Sequence, residues 1–502
     1  MCGKKMKLCL INHSFRYELE KLIRVFLPFE KIEFFSEAQE GGSTAVTELV
    51  KGRRTVLSSE LNISGRRFAS SKTLDEKSAD DYDAECERLL AVTLYNCFVS
   101  ASGYVPKWGI LTGVRPAKLF YRLSEADGEK AAEEWFKNAL MVDDSKIALC
   151  RETVAAEKAV TSLSRPESFS LYVSVPFCPT RCAYCSFVSH SVENAGKLVP
   201  DYIALLTREL SLTGSMARRL GLRLETVYIG GGTPTALTAG QLGAVMSAVS
   251  GGFDLSELRE YTVEAGRPDT LTAEKLEVIK RLGATRISVN PQTMNDSVLK
   301  AIGRRHTADD TVRAFFLARE AGFDNINMDL IAGVPGDTAD SFRETVSRVR
   351  ALAPESVTVH SLAMKRSSFL NMSGIFPEAQ AGKTAAEMVE HARLALAKDG
   401  YFPYYMYRQS KTVGNLENVG YAKKGAECLY NVFTMDETHT VLACGASAVT
   451  KLREPGGNHI ERIFNFKYPY EYISRFGEIE SKKDGITEFY EKYPEYNKRI
   501  RT

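Results

Sequence analysis

Three cysteines stand together in Pro176-Phe177-Cys178-Pro179-Thr180-Arg181-Cys182-Ala183-Tyr184-Cys185, with the spacing Cys-x3-Cys-x2-Cys. With cysteine at about 2% of residues, chance yields that spacing in roughly one chain of this length in a few hundred. Three thiolates on one loop can hold three irons of a [4Fe–4S] cluster and leave the fourth iron with an open position, which requires a ligand other than protein. The alternative is a structural zinc site with four closed ligands, for which His190 is an available fourth. A second feature is Gly230-Gly231-Gly232-Thr233-Pro234, whose glycines bare consecutive backbone groups to a small zwitterion or a phosphate. A tight turn with no ligand has the same composition. Glu264, Gln292 and Asp329 are acceptors suited to an amino group and to ribose hydroxyls, and Arg304 suits a carboxylate.

These residues gain meaning from the elements that carry them. From Leu171 onward a strand-then-helix alternation repeats about six times. Strands are predicted at Leu171 to Val175, Thr226 to Gly230, Tyr261 to Glu264, Arg286 to Val289, Ile326 to Ile331 and Val357 to His360. Such alternation means parallel strands with helical crossovers, here an open, partial (β/α)6 barrel of the TIM type within an α/β chain. The cysteine loop, the triple glycine, Glu264, Asn290 with Gln292, Asp329 and His360 all fall in or just past strands, at one mouth. Core packing alone does not produce that pattern.

Before the barrel, residues 1–165 read as an N-terminal α+β domain, ended by the linker-like Leu163-Ser164-Arg165-Pro166-Glu167-Ser168. Residues 166–400 are the barrel. After about Gly400 the chain turns Tyr- and Asn-rich, and residues 401–502 read as a C-terminal α+β domain lying as a lid over the opening.

The 502 residues, 44% hydrophobic and 25% charged, are enough for roughly two or three domains and exclude disorder and a small disulfide scaffold. A formal net charge of +2 gives no global field for nucleic acid or an anionic membrane. The other seven cysteines, Cys2, Cys9, Cys86, Cys97, Cys150, Cys428 and Cys444, are too scattered for a disulfide framework. No run approaches ~18 apolar residues and the start carries no long apolar signal core, so the expected location is the cytoplasm, with no transmembrane segment.

The cysteine loop, with Tyr184 just before its third cysteine, resembles the signature of radical S-adenosylmethionine (SAM) enzymes. Within that superfamily the chain resembles the oxygen-independent coproporphyrinogen III oxidase group. The segments that carry the likeness are Tyr172 to Cys178, Gly230 to Thr235, Val263-Glu264 with Pro268, Arg286 to Gln292, Gly303-Arg304-Arg305-His306 and Met328 to Gly336. The N-terminal extension, Leu111 to Lys118, Tyr407-Arg408-Gln409 and Gly414 to Tyr421 resemble the coproporphyrinogen dehydrogenase subgroup HemZ. The resemblance implies that Cys178, Cys182 and Cys185 bind a [4Fe–4S] cluster. It places SAM against Tyr172, the backbone of Tyr184, Gly231, Gly232, Thr233, Glu264, Gln292, Arg304, Asp329 and Ala363. Reductive cleavage of SAM gives a 5′-deoxyadenosyl radical in this family. Two oxidative decarboxylations then convert coproporphyrinogen III to protoporphyrinogen IX, with electrons from a donor such as flavodoxin or ferredoxin.

A four-carboxylate macrocycle needs cationic side chains around an apolar floor, and Arg267, Lys365, Arg366 and Arg408 are the expected ones, with Tyr404, Tyr405 and Tyr407 in the lid. Two positions depart from the family. Phe187 stands where oxidases carry a further cysteine, and Ser174 where they often have histidine. The competing reading is a haem-binding chaperone of the same family. Its His-Asn-x-x-Tyr-Trp segment here reads Tyr430-Asn431-Val432-Phe433-Thr434-Met435, so a haem ligand has to come from elsewhere, such as His360 or His439. A smaller alternative is another radical SAM reaction on a tetrapyrrole.

Overall fold

The computed structural model describes residues 5–75, 81–185, 190–364, 381–494 and 496. Its contacts divide the chain into two compact units, Met1–Arg151 with Tyr407–Glu417, and Glu152–Met406 with Asn418–Thr502.

In the first unit a five-stranded sheet runs in the order β2-β1-β3-β4-β5, with β1 Lys5–Ile11, β2 Lys31–Phe35, β3 Ser43–Val50, β4 Thr55–Ile63 and β5 Arg66–Leu74. β1 pairs parallel with both neighbours, while β3, β4 and β5 form an antiparallel meander. The helix Tyr82–Ser102, started by the Asp81 side chain accepting from Ala84 N–H, packs across β4 and β5. The segment 407–417 is pinned into this unit by buried charge. Glu417 accepts from Lys146 Nζ (2.6 Å) and Trp108 Nε1 (2.7 Å), so neither carboxylate oxygen is left without a partner.

The second unit is built on one open sheet, in the order β14-β15-β13-β12-β11-β10-β9-β6-β16-β17-β18. The strands are β6 Ser168–Val175, β9 Arg223–Gly231, β10 Glu260–Glu264, β11 Arg286–Ser288, β12 Ile326–Ala332, β13 Ser356–Ser361, β14 Phe402–Arg408, β15 Glu417–Ala422, β16 Thr440–Cys444, β17 Val449–Arg453 and β18 Ile460–Phe464. A separate short pair joins β7 Phe177–Cys178 to β8 His190–Ser191. The six expected barrel strands are present, parallel, and in sequential order from β6 to β13.

A seventh parallel strand extends the barrel. β16 pairs with β6 over Thr440↔Phe169 to Cys444↔Val173, and its end is keyed to the end of β6. Tyr202 OH donates to Ser174 O (2.9 Å) and accepts from Ala446 N–H (2.8 Å), while Ser174 Oγ donates to Ala446 O (2.8 Å). After residue 400 the strands β14 to β18 join the barrel sheet, and Tyr407–Glu417 groups with the first unit.

Strands covered on both faces usually read as unbroken apolar runs, but these alternate. Leu171, Val173, Val227, Ile229, Val263, Ile287, Val357 and Val359 are all buried and apolar. Between them lie Ser170, Tyr172, Ser174, Thr226, Tyr228, Thr262, Glu264, Arg286, Ser288, Thr358 and His360. With a side-chain period of two, the second set shares the opposite face of the sheet. That face is hydrogen-bonded across strands: Ser170 to Thr226 (2.7 Å), Arg286 Nη2 to Ser356 Oγ (2.8 Å) and Thr358 Oγ1 to Asn327 Oδ1 (3.2 Å). The barrel interior is thus polar, as a ligand-holding interior must be.

Helices start directly after these strands because the connecting residues cap them. Thr238 with Gln241 and Thr307 with Asp310 form reciprocal capping boxes, and Thr272, Asn295 and Thr338 each accept from the first helical turn. Short capped connections keep the strand ends in register with one another.

Candidate functional site

The cysteine loop leaves β6 and is braced from several sides at once. Thr233 N–H donates to Phe177 O (2.7 Å), and Thr233 Oγ1 donates to Cys178 Sγ (3.4 Å). Ala183 N–H donates to Ile302 O (2.9 Å), and Cys185 N–H to Cys182 O (3.1 Å). Arg267 Nη1 donates to Cys182 Sγ (3.7 Å) and to Thr180 Oγ1 (3.1 Å). Cys182 is buried and Cys178 and Cys185 are partly exposed. N–H and O–H groups aimed at sulfur suit thiolates, which are the ligating form.

The glycines of the next turn are there for space and backbone shape. Gly231 has φ +99°, a left-handed value that side chains resist, and a Cβ on Gly232 would lie 2.6 Å from Phe177 O and 2.7 Å from Val175 O. Substitution at Gly232 would push the start of the cysteine loop off the β9 turn.

The interior carboxylates face this turn with different charge preferences. Glu264 accepts from the Tyr228 hydroxyl and from Gly231 N–H. Burial pushes its carboxyl up to about 7, against both hydrogen bonds and with Asp329 adding repulsion. Asp329 is also desolvated, but His360, with Nε2 3.8 Å from Oδ2, together with Asn327 and Thr358, holds it below its ordinary value. Asn327 Nδ2 donates to Asp329 Oδ1 at 2.7 Å.

Gln292 adopts φ +69°, exchanges backbone hydrogen bonds with Asp329 and Ile331 (2.9 Å each), and keeps a buried Oε1 with no partner among the described residues. Arg304 is buried. Its Nη1 donates to Gly266 O (3.0 Å) and Asn290 O (3.4 Å), its Nη2 donates to Tyr184 OH (2.8 Å), and Nε has no partner among the described residues. Unspent donors and acceptors of this kind mark a site built for a polar ligand. Ala363 follows β13, beside Leu362, whose N–H donates to Ala332 O (3.0 Å).

Tyr172, Tyr228 and Tyr430 form a three-ring stack across this interior. Their centroids lie 4.5 Å apart for Tyr228–Tyr430, 6.1 Å for Tyr172–Tyr430 and 6.3 Å for Tyr172–Tyr228, with planes 18–23° from parallel. Sequence reasoning passed over Tyr228. Its signal was the two-residue period that puts it on the same face as Thr226 and Gly230.

Several expected residues are engaged elsewhere. Arg267 is 3% exposed, with a guanidinium forked onto Asp269 and directed at the cysteine loop, so it is not available to a substrate carboxylate. Arg408 belongs to the first unit, where it donates to Leu111 O (2.7 Å), Gly113 O (3.3 Å) and Asn415 O (3.0 Å) and lies 5.1 Å from the Trp108 ring. Tyr404 and Tyr405 are buried in β14 instead of forming a lid. Lys365, Arg366 and Phe187 lie outside the described residues. His439 cannot serve as a metal ligand, because Nδ1 bonds Ser164 Oγ (2.9 Å) and Nε2 bonds Ser170 Oγ (2.8 Å).

Ligands of one tetrahedral ion crowd round a single point, with Zn–S near 2.3 Å. Among the described residues no three His, Cys, Asp or Glu side chains converge in that way. The thiolates of a four-iron cube sit on different irons and are spaced more widely.

The family model described as the radical SAM superfamily matches residues 172–349. The oxygen-independent coproporphyrinogen-III oxidase-like protein HemZ of Bacillus subtilis (strain 168) is 37% identical over 403 residues, 80% of either chain. The chain belongs to the radical SAM superfamily, in the oxygen-independent coproporphyrinogen III oxidase-like family. The heme chaperone HemW of the same organism is 37% identical over 205 residues, covering 40% of this chain and 53% of its own. Among solved structures, coproporphyrinogen III oxidase (HemN) from Escherichia coli superposes with a TM-score of 0.51 at 23% identity over 64% of this chain and 72% of its own, a likeness of fold. Membership in the radical SAM superfamily implies a [4Fe–4S] cluster and SAM as cofactors, and the loop fits them: three thiols on one turn, two with donors aimed at sulfur, beside buried polar atoms left without partners.

Proposed function

We propose that this protein is an oxygen-independent coproporphyrinogen III dehydrogenase, which oxidatively decarboxylates two propionates to vinyls and yields protoporphyrinogen IX. Cys178, Cys182 and Cys185 hold the cluster. Tyr172, the Tyr184 backbone, Gly231, Gly232, Thr233, Glu264, Gln292, Arg304, Asp329 and Ala363 hold SAM. When bound, these cofactors supply a one-electron reductive cleavage that yields a hydrogen-abstracting radical. The chain's own residues bind, orient and exclude water.

The geometry supports several of these roles. Glu264, raised by burial, ionises readily once an ammonium group neutralises it, which makes it a receptor for the amine of SAM. Asp329 stays an acceptor for ribose hydroxyls because His360 and Asn327 support its charge. Arg304 keeps Nε for the ligand while its other nitrogens brace Tyr184 and two backbone carbonyls. The tyrosine stack supplies apolar surface beside Glu264 that helps exclude water from the site. Lys365 and Arg366 are the substrate-carboxylate ligands that the sequence leaves in play.

The observation that carries the dehydrogenase reading is Tyr430. It occupies the position at which the chaperone-type segment has histidine, and it is buried in the ring stack beside Glu264. The other candidate in that stretch, His439, has both ring nitrogens bonded. Among the described residues no helix is long and apolar enough to cross a membrane, which accords with a cytoplasmic enzyme reduced by a flavodoxin- or ferredoxin-like donor.

The test is anaerobic turnover of the reconstituted protein with SAM, a reductant and coproporphyrinogen III. The expected products are 5′-deoxyadenosine, CO2 and vinyl porphyrinogen. Stoichiometric haem binding with no CO2 release would replace this reading with the chaperone.

A further inference from the structure

The turn after β10 is built around one ion pair, a buried Arg267 held by the more exposed Asp269. Arg267 donates through Nε to Asp269 Oδ1 (2.9 Å) and through Nη2 to Asp269 Oδ2 (2.8 Å). The short Pro268–Thr270 turn sets the two side chains next to each other, and Thr270 closes it by donating from N–H (3.0 Å) and Oγ1 (2.7 Å) to Arg267 O. His306 packs behind the pair, fully buried, with Nδ1 3.8 Å from Asp269 Oδ1. A guanidinium is planar, so fixing one edge aims the other. The free edge, Nη1, points at the cysteine loop, to Thr180 Oγ1 at 3.1 Å and Cys182 Sγ at 3.7 Å.

The thiol at Cys178 has a different kind of donor, the neutral hydroxyl of Thr233 at 3.4 Å. Hydrogen bonds in which one partner is charged are roughly twice as strong as neutral ones. Hydrogen bonds to cluster sulfurs are one of the levers by which a protein sets a cluster's potential, because they stabilise the more electron-rich reduced form.

We propose that Arg267, aimed by Asp269, is a positioning residue that raises the reduction potential of the cluster through a charge-assisted N–H···S hydrogen bond to Cys182. The inference rests on the cluster assignment. It explains why a cation is buried at a point where substrate cannot use it: a cluster that must receive an electron before any chemistry gains from a neighbour that favours the reduced state.

The test is a dye-mediated redox titration of the reconstituted full chain without SAM, followed by the electron paramagnetic resonance (EPR) signal of the reduced cluster. Arg267→Met with parental iron and sulfide content is expected to be at least tenfold harder to reduce, a midpoint ~59 mV more negative for one electron. Thr233→Val is expected to shift the midpoint less. An Arg267→Met midpoint equal to that of the parent, or a larger shift in Thr233→Val, overturns the proposal. Should Arg267→Met not retain iron, Arg267→Gln, which keeps a planar polar end without the charge, decides: a lowered midpoint supports the proposal and an unchanged one overturns it. A parent protein that assembles no cluster refutes the assignment itself, whereas a parent with a cluster and variants without a shift refute only the role of Arg267.

Discussion

Tyr430 lies over Tyr228 with ring centroids 4.5 Å apart and planes 23° from parallel, and Tyr228 in turn donates its hydroxyl proton to Glu264. One contact thus ties the helix Leu429–Asp436 to the carboxylate proposed to receive SAM. Aromatic pairs of this geometry contribute beyond the area they bury. Tyr430→Ala is expected to cost about 3–5 kcal/mol, the usual range for deleting a buried aromatic ring, whereas Tyr430→Phe keeps the stack and is expected to cost about 1 kcal/mol or less. Urea denaturation of the three proteins checks this, and equal midpoints for Ala and parent would contradict it.

Glu264 makes stability depend on pH in the direction opposite to an ordinary salt-bridged carboxylate. Its folded value near 7 lies above the ordinary 4.5, so over that interval the native state holds a proton that the unfolded chain releases. Native stability therefore falls as pH rises from about 4.5 to 7, by about 3 kcal/mol at ~1.4 kcal/mol per unit. Glu264→Gln lacks this dependence. In SAM-free protein the stability of Glu264→Gln relative to the parent is expected to grow across that window and level off above it. A flat difference across pH 4.5–8 would show that Glu264 is not desolvated.

The parts of this architecture visible in the sequence are those encoded locally. β6 and β9 through β13 announced themselves because each is an apolar-polar alternation, followed after β9, β10, β11 and β12 by a capped helix, and the polar members of that alternation are the candidate site. β16 was missed because Thr440–Cys444 is only five residues and pairs with β6, some 270 residues earlier in the chain. The tyrosines after Gly400 suggested a lid by composition, yet Tyr405 is packed so closely on Gly420 that a Cβ there would clash with its ring. The intramolecular partners of Arg267 and Arg408 were not legible for one reason: a sequence shows a charge without its partner. For Arg267 the partner Asp269 stands two residues on, within reach of inspection. For Arg408 two of the three acceptors are backbone carbonyls nearly 300 residues away, which no local pattern reveals.

His439 supplies a second pH dependence of opposite sense. Enclosed between Ser164 and Ser170, it is pushed down to about 3 by burial, with Arg453 adding repulsion. Below about 6.5 the unfolded chain takes up a proton that the native state cannot, so stability is lost progressively as pH falls from 6.5 toward 3, by up to about 5 kcal/mol. His439→Asn is expected to be less stable than the parent at pH 7 and to show a shallower decline on acidification. Parallel declines would contradict the neutral, buried assignment.

Arg304 joins Gly266 and Asn290 to Tyr184 through three hydrogen bonds from one planar group, a geometry that lysine cannot copy. Arg304→Lys is expected to lose about 1.5–3 kcal/mol of stability for each charged hydrogen bond it fails to make, and to bind SAM at least tenfold more weakly. Calorimetric titration of reconstituted protein with SAM reads the second effect. Parental affinity in Arg304→Lys would leave the brace without a functional role.

Three thiolates that leave one iron open to SAM are the foundation of the account, and EPR of the reduced, reconstituted protein with and without SAM tests them most directly. The expected result is a [4Fe–4S]+ signal that changes on SAM addition and is lost in Cys182→Ala. A signal indifferent to SAM, or a protein that takes up one tetrahedral zinc in place of the cluster, would contradict it.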